Sequence, residues 1–328
     1  MKRYETLETL FRRVDLSFAE KVLKEVFHPE DSPGRPPRKP IGVFKAHLLR
    51  RLRHIPSDRM LVRQLWKDPR LKRICDIEAS ESPYGIAVLS RFRSRVGPEK
   101  LALIIDDALG ILVKKGKIKG ETLALDSTFI KAYSRRNMDN RSGYSDPESR
   151  VGRAVKAKDL GYRLHLAVDA KSELPVAMVV ASANENEKKH SCDLFKRASS
   201  VVKFKRLVAD PQYSSQGLRD AAVSVGTVPV IPYPSNQKIG EGGVLRVDRK
   251  FRSHGPQELR RAYRKRAAVE RAFSRLKNLA GLKEHNLRGL TKITFHSQLC
   301  ILAMLLVAQA AVNTHKTGKS RSIRYFAN

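Results

Sequence analysis

Residues 162–180, YRLHLAVDAKSELPVAMVV, contain two apolar runs of β type joined by a short polar turn. The runs at 162–168 and 174–180 have the length of strands, and the intervening DAKSE is typical of a hairpin turn. A third run of the same type, TLALD at 122–126, precedes them. We therefore expect three successive strands of one sheet.

The pattern after residue 180 alternates between helical and β-type segments. Helices are predicted at 185–199 and 214–225, and strands at 204–210 and 227–233. A glycine-rich, basic stretch at about 232–257 predicts a small insertion, and two helices should follow it, at about 259–279 and 293–312. Three consecutive strands followed by alternating helices and strands indicate a mixed α/β fold.

The segment before residue 120 is predicted to be helical. Leu61, Leu65 and Trp66 recur at helical spacing, and we interpret Trp66 as a core residue. Pro98 fits the first turn of a helix that Gly116 ends. The chain is thus expected to have a helical N-terminal region at 1–120 and an α/β domain at 121–328.

The charge balance indicates the class of partner. The 328 residues include 65 Lys plus Arg against 33 Asp plus Glu, which gives a formal charge of +32. A field of this size attracts and holds polyanions, so nucleic acid is the leading candidate partner. The 41% of hydrophobic residues can fill a core, which argues against a disordered chain.

Cysteine usage and the most apolar run bear on the compartment. Cys75, Cys192 and Cys300 lack paired spacing, which argues against a disulfide framework and a cysteine zinc site. The apolar run at 298–313 is shorter than the roughly 20 residues needed to cross a bilayer. We expect a buried core helix there, no membrane association and a cytoplasmic location.

Carboxylates lie at the ends of two predicted strands. Asp126 ends TLALD and Asp210 ends RLVAD. An acid at the end of an apolar strand needs a reason, since burial of a carboxylate is costly. Either residue could instead begin the next turn or cap a helix.

A third carboxylate lies in YRKRAAVERAFSRLK at 263–277. Tyr263, Arg266 and Lys277 stand at −7, −4 and +7 from Glu270, which puts the four on one face of a continuous helix. The adjacent face would bury an apolar stripe that consists of Val269, Phe273, Leu276 and Ala280. The alternative is a solvated helix face on which Arg266 and Glu270 form an ordinary i, i+4 ion pair.

Three carboxylates with a basic rim suit phosphodiester chemistry. Hydrolysis or transfer at a phosphodiester uses two hard cations about 3.5–4 Å apart, one at the attacking oxygen and one at the leaving oxygen. Carboxylates are ligands that Mg²⁺ and Mn²⁺ prefer. Strand ends would fix Asp126 and Asp210, a packed helix would deliver Glu270, and Arg or Lys would hold the flanking phosphates.

On these residues the sequence resembles the DDE transposases of bacterial insertion sequences, in the branch with a Tyr-x2-Arg-x3-Glu-x6-Lys signature. Tyr263, Arg266, Glu270 and Lys277 reproduce that signature. Further family-like phrases are SESPYGIAVLSRFRSRVG at 80–97, LALDSTFIKA at 123–132 and GYRLHLAVDA at 161–170.

The resemblance implies a ribonuclease H-like mixed-sheet catalytic core at 121–328, with the insertion before the last catalytic helix. It implies that Asp126, Asp210 and Glu270 are catalytic metal ligands. The expected cofactor is Mg²⁺ or Mn²⁺, with two ions bound. Tyr263, Arg266 and Lys277 would bind DNA near the transposon end. The expected partners are double-stranded terminal inverted repeats and target DNA, bound by a homodimer, and the N-terminal region would recognise the repeats or mediate dimerisation.

Two rival functions remain open at this point. One is a structure-selective nuclease on the same fold, which cuts DNA without joining it, and the other is a decayed transposase that only binds its repeats. Pro211 follows Asp210 where family members often have a basic residue and glycine before the tyrosine.

Two other features receive structural interpretations. We interpret His165 as a packed strand residue and the acidic-amide cluster 184–187 as a helix cap.

Overall fold

The computed structural model describes residues 6–27, 38–136, 139, 143–154, 157–233 and 256–327. The chain divides into two compact units. One consists of Met1–Leu112, Ala132–Pro147 and Arg275–Asn328, and the other of Val113–Lys131 and Glu148–Ser274. This division differs from the expected one at residue 120, because the C-terminal helix belongs with the N-terminal helices.

The second unit is built on a mixed sheet, which confirms the predicted α/β class. Its strands are β1 (Thr122–Lys131), β2 (Arg150–Arg153), β3 (Lys158–Asp169), β4 (Leu174–Ser182), β5 (Arg206–Ala209) and β6 (Val228–Val230). β3 is antiparallel to β1 on one side and to β4 and β2 on the other. β5 lies parallel to β1, and β6 lies parallel to β5. The three predicted successive strands are β1, β3 and β4.

The strands are longer than their apolar runs. β1 continues five residues beyond Asp126, because residues 127–131 pair with residues 161–165 of β3. β2 has no apolar run at all and is held by pairing with β3, which explains why its sequence does not predict it. Asp126 therefore lies in the middle of a strand and not at its end.

Helices cover the sheet of the second unit. α7 (Glu187–Val201) packs on β3 and β4, and α8 (Gln216–Ser224) packs on α7 and β6. The helix predicted at 259–279 is two helices, α9 (Gln257–Arg264) and α10 (Ala267–Asn278). Tyr263 and Glu270 are thus on different helices, and the expected single helical face for the four signature residues is wrong.

The first unit is helical, as predicted. It contains α1 (Leu7–Arg13), α2 (Ser17–Phe27), α3 (Pro40–Leu52), α4 (Asp58–Lys67), α5 (Pro69–Ile74), most of α6 (Ile86–Lys114), α11 (Leu290–Asn313) and α12 (Ile323–Phe326). Gly97, with φ 63°, breaks α6 just before Pro98. Short 3-10 turns lie at Pro211–Tyr213 in the second unit and at Thr317–Lys319 in the first.

α11 is the central helix of the first unit. At 24 residues it is long and apolar enough to cross a bilayer, so the sixteen-residue run underestimated its length. Of its most apolar stretch, 94% is buried, and it packs on α1 and α3. Packing inside the unit accounts for its composition, as expected for a core helix.

Two other expectations concern Trp66 and the insertion. Trp66 is 61% exposed, so its interpretation as a core residue is wrong, whereas Leu61 and Leu65 on the same helix are fully buried. The spacing of the three residues is helical, but Trp66 lies outside the buried face. The insertion predicted at about 232–257 falls almost entirely outside the described residues.

Candidate functional site: a carboxylate cluster beside β1 and β5

Asp126 and Asp210 are brought together by the parallel pairing of two central strands. Leu125 of β1 is paired with Ala209 of β5, and each aspartate follows directly. The residues before them are fully buried, which fixes the backbone at this point. A separation of 84 positions in the sequence is closed here by strand register alone.

Asp126 lies in an environment that disfavours its negative charge. The pKa of this carboxyl is raised to about 6; burial is the largest cause, and the negative charges of Asp210 and Glu187 act in the same direction. The Ser127 N–H, which donates to Oδ1 at 2.8 Å, and the Arg266 guanidinium act in the opposite direction. The site therefore favours a positive charge next to Asp126.

Arg266 joins two of the three predicted catalytic acids. Its Nη1 donates to Asp126 Oδ2 at 2.8 Å, and its Nη2 donates to Glu270 Oε1 at 2.5 Å. Burial lowers the pKa of Arg266, but Asp126 and Glu270 outweigh it and raise the pKa overall. The i, i+4 ion pair with Glu270 is therefore only one of two ion pairs that Arg266 forms. Its guanidinium lies between the carboxylates of Asp126 and Glu270.

α10 is held against the sheet on the side next to Glu270. Arg271 Nε donates to Glu173 Oε1 at 2.7 Å, and Glu173 is almost fully buried in the β3–β4 turn. The predicted apolar stripe of α10 is buried, as expected. The Glu270 side chain itself is 53% exposed. A fixed helix thus presents a carboxylate that solvent and ligands can reach.

The other two signature residues differ in position. Tyr263, in α9, lies near enough to Arg266 to raise the pKa of the guanidinium. α9 is also attached to β5, because Arg206 pairs with Glu258. Lys277 lies two turns beyond Glu270 on α10, where burial and the nearby Lys283 lower its pKa.

Asp210 also caps the turn that follows it. Its Oδ1 accepts from Gln212 N at 3.0 Å at the start of the 3-10 turn Pro211–Tyr213. Pro211 occupies the first position of that turn, where a backbone N–H would have no partner within the turn. Asp210 can therefore cap this turn and also lie beside Asp126. Pro211 removes no hydrogen bond of the turn.

A fourth carboxylate, Glu187, belongs to this cluster and was not expected there. Its Oε1 accepts from Ser127 Oγ at 2.7 Å and from Arg163 Nη1 at 2.9 Å, and its side chain is only 11% exposed. The helix cap itself is made by the preceding Asn186, which accepts from Lys188 N at 3.0 Å. Arg163, a cation within an apolar strand, was the sequence signal for a buried acidic partner.

A cleft of about 340 Å³ lies at the same end of the sheet. Its lining comes from β3, from the start of α7 and from the turn after Asp210, and consists of Arg163, Glu185, Asn186, Glu187, Lys188, Pro211 and Gln212. Both signs of charge are represented. The cleft therefore continues the carboxylate cluster toward solvent.

His165 is a packed residue, as interpreted. It is fully buried, its Nδ1 lies 2.9 Å from the Tyr213 hydroxyl, and its ring packs on that of His190 at 4.9 Å. Burial is the main cause that lowers its pKa to about 3, and the charge of the nearby His190 is the second cause. The neutral ring connects β3 to the turn after Asp210.

The carboxylates agree in type with a hard-cation site, but they are not arranged as one. Among the described residues, no group of three His, Cys, Asp or Glu side chains is positioned to hold a metal ion. Arg266 supplies the positive charge between Asp126 and Glu270 instead. The carboxylates repel one another and already bind the Arg266 guanidinium, so the cluster favours a cation. Carboxylate oxygens are the donors that Mg²⁺ and Mn²⁺ prefer.

Comparison with known proteins gives two family matches. Residues 117–306 match the family described as transposase DDE domain, and residues 2–95 match one described as a transposase domain. No curated protein matches the sequence.

Two solved structures are similar in part. The piggyBac transposase in a synaptic complex with hairpin DNA has a TM-score of 0.49 and 12% identity, with 98% of this chain and 78% of that one covered. The Mos1 transposase in a paired-end complex with the left transposon end has a TM-score of 0.23 and 9% identity, with 78% and 82% covered.

Proposed function

Because the chain belongs to the transposases with a DDE domain, we propose that it is the metal-dependent DNA transposase of a bacterial insertion sequence. In this proposal it binds the terminal inverted repeats of its element, cleaves a DNA strand at each end and joins the freed end to target DNA. The signature at 263–277 supports a place in the branch with a Tyr-x2-Arg-x3-Glu-x6-Lys motif.

The observation that carries the proposal is the convergence of Asp126, Asp210 and Glu270 around Arg266. Asp126 and Asp210 follow a paired position on adjacent parallel strands, and the guanidinium joins Asp126 to Glu270. The three acids are 84 and 60 positions apart in the sequence, so helix or strand spacing does not account for their meeting. This convergence supports a shared catalytic role over separate turn or capping roles for the two aspartates and an isolated ion pair for Glu270.

The sheet supports a ribonuclease H-like core. Three antiparallel strands, β4, β3 and β1, continue into the parallel strands β5 and β6. The carboxylates lie at the point where the pairing changes from antiparallel to parallel, beside the carboxyl end of β5. Ligands of open α/β sheets commonly bind outside the carboxyl ends of parallel strands.

Asp126, Asp210 and Glu270 would hold the metal in this proposal. A pair of Mg²⁺ or Mn²⁺ ions would activate the attacking oxygen and stabilise the leaving one. If metal ions neutralised Asp126 and Glu270, the Arg266 guanidinium would be released from these carboxylates. It could then bind a DNA phosphate in a bidentate manner. Tyr263 and Lys277 would hold DNA further along the strand.

Cleavage of a labelled duplex that carries the element's terminal repeat tests the proposal. Wild type is compared with Glu270→Gln and Asp126→Asn in Mg²⁺ and in Mn²⁺. We expect metal-dependent cutting at the repeat boundary, lost in both variants while DNA binding is retained. Tight binding with no cutting by wild type in either metal would contradict the proposal and favour a protein that only occupies its repeats.

Joining separates a transposase from a nuclease. Pre-cleaved element ends are mixed with supercoiled target DNA, and the products are examined for covalent insertion. We expect inserted ends, because the 3′-OH of a cleaved strand can act as the next nucleophile at the same site. Nicked circles alone would identify a nuclease on this fold.

We further propose that two copies act together, one at each end of the element. A homodimer on paired ends predicts that a complex of two chains and two duplexes forms at DNA saturation. Sedimentation of the DNA complex measures this mass, and a complex of one chain with two ends would contradict it.

A further inference from the structure

The exposed face of α4 has an unusual combination of side chains. Leu61 and Leu65 are fully buried on one face of the helix, whereas Trp66 on the other is 61% exposed and Met60 is 43% exposed. Trp66 is the single tryptophan in the sequence. A large aromatic ring left in water forfeits the stabilisation that burial would give, so an exposed one commonly marks a contact surface.

Three cations share this face with Trp66. Arg59, Arg63 and Lys67 follow at four-residue intervals and are all exposed. In the described part of the chain, none of the three forms an ion pair or a hydrogen bond. We call Arg59, Arg63, Trp66 and Lys67 the α4 stripe.

The acids at the two ends of α4 do not offset this charge. Asp58 is already paired with Arg50 at 2.6 Å and with Arg93 at 2.8 Å. Asp68 is paired with Arg70 at 3.2 Å. Both acids are thus occupied by other cations, and neither compensates the positive charge of the α4 stripe.

The geometry of the α4 stripe fits a DNA backbone. The cations are spaced by about 6 Å and extend over about 12 Å of helix, since each residue rises about 1.5 Å. A helix of this diameter can enter or follow a DNA groove, and phosphate contacts fix its register. The indole adds an apolar surface with one N–H donor for sugars or base edges.

We propose that α4 is a DNA-contacting helix, in which Arg59, Arg63 and Lys67 bind phosphates and Trp66 packs into the groove between them. The inference rests on the proposed function, since it assumes that DNA is the partner of this chain. The charge of +32 on the whole chain opposes a second copy as the occupant of this face.

Intrinsic fluorescence tests the inference directly, because Trp66 is the sole tryptophan. A short duplex with the element's terminal sequence is titrated into the full-length protein, and anisotropy of the labelled DNA is recorded in parallel. We expect the Trp66 emission to be quenched or shifted, with saturation at the same DNA concentration as the anisotropy. Unchanged emission at full DNA occupancy would overturn the inference.

Salt dependence gives a second readout. Each lost phosphate contact lowers the slope of log K against log salt by about 0.9, so a triple variant Arg59→Gln, Arg63→Gln, Lys67→Gln should lower it by up to about 2.7. The matched control, Arg12→Gln, Lys21→Gln, Lys24→Gln, removes the same charge from α1 and α2 and should leave the slope unchanged. Equal slopes for the two variants would overturn the inference.

The outcomes separate the inference from the function on which it rests. Wild type that binds and cleaves DNA, with unchanged emission and equal slopes, would remove the inference and leave the proposed function. Wild type that neither binds nor cleaves the repeat would remove both. A change in sedimentation of the α4 triple variant without DNA would identify the α4 stripe as an interface between copies and would also overturn the inference.

Discussion

At Asp126, burial, two neighbouring carboxylates and one guanidinium determine the acidity of a single side chain. Burial does most to raise its pKa to about 6, Asp210 and Glu187 act in the same direction, and Arg266 acts against them. Glu187 differs from the others because its own partners, Ser127 and Arg163, fix it from two sides. We therefore assign Glu187 a positioning role: through Ser127 it fixes the backbone next to Asp126 and through its charge it sets the acidity of that carboxyl.

Glu187→Gln should shift the pH profile of cleavage. Removal of the negative charge lowers the pKa of Asp126 from about 6 toward its ordinary value, so the carboxylate stays ionised at lower pH. The acid limb of the rate profile should move to lower pH, and the rate at neutral pH should fall by about 10–100-fold, as for other lost partners of ligating groups.

Glu185→Gln is the matched control for this prediction. Glu185 lines the same cleft but pairs with Lys189 at 2.6 Å and His190 at 3.3 Å, away from Ser127. Its substitution should leave the acid limb of the cleavage profile in place. Equal profiles for the two variants would show that Glu187 has only a structural role.

At the scale of elements, close backbone approaches decide where β1 begins. Gly120, two residues before β1, has φ 69°, and its carbonyl accepts from Lys205 N at 2.9 Å. A Cβ at this position would lie 2.2 Å from Lys203 O. The start of β1 is thereby joined to the segment before β5, which sets the register that pairs Leu125 with Ala209.

Gly120→Ala should destabilise the protein by about 2 kcal/mol or more, since it adds a left-handed backbone penalty to a backbone clash. Gly110→Ala, in the interior of α6 where a Cβ would meet nothing within 4 Å, should stabilise it by about 0.5–1 kcal/mol. Urea unfolding of both variants measures these changes. A neutral Gly120→Ala would mean that the approach to Lys203 relaxes without cost.

The elements also show what local pattern can and cannot predict. The apolar runs at 122–126, 162–168 and 174–180 predicted β1, β3 and β4, because burial on both faces leaves a clear signature. β2 has no such signature, and the break between α9 and α10 follows no glycine or proline. β2 forms by backbone pairing with β3, and Arg266 at the helix break bonds to Asp126, which lies 140 positions away in the sequence.

The candidate site divides in the same way. Asp126, Asp210 and Glu270 were predicted as site residues from their chemistry and from family motifs, and the structure places all three near Arg266. Glu187 was missed, because its role depends on how α7 packs on β3 and not on its own sequence neighbours. Trp66 was misassigned for a related reason: helical spacing predicts a face, but only packing decides whether that face is covered.

At the scale of the whole molecule, the first unit is assembled from both ends of the chain. Arg51 Nη1 lies 3.3 Å from Gly281 O and 3.2 Å from His296 Nδ1, which joins α3 to α11. Asp15 N donates to Gln309 Oε1 at 3.2 Å near the other end of α11. The N-terminal helices therefore depend on a helix that follows the three candidate catalytic acids in sequence.

The isolated fragment 1–120 should not fold cooperatively. It lacks α11, which covers α1 and α3 with an almost fully buried apolar surface. A chain that joins 1–112 to 275–328 through a flexible Gly/Ser linker restores this surface and should melt in one cooperative transition. Circular dichroism during heating compares the two. A cooperative melt of 1–120 alone would show that its helices bury enough apolar area without α11, and would restore residue 120 as a true domain boundary.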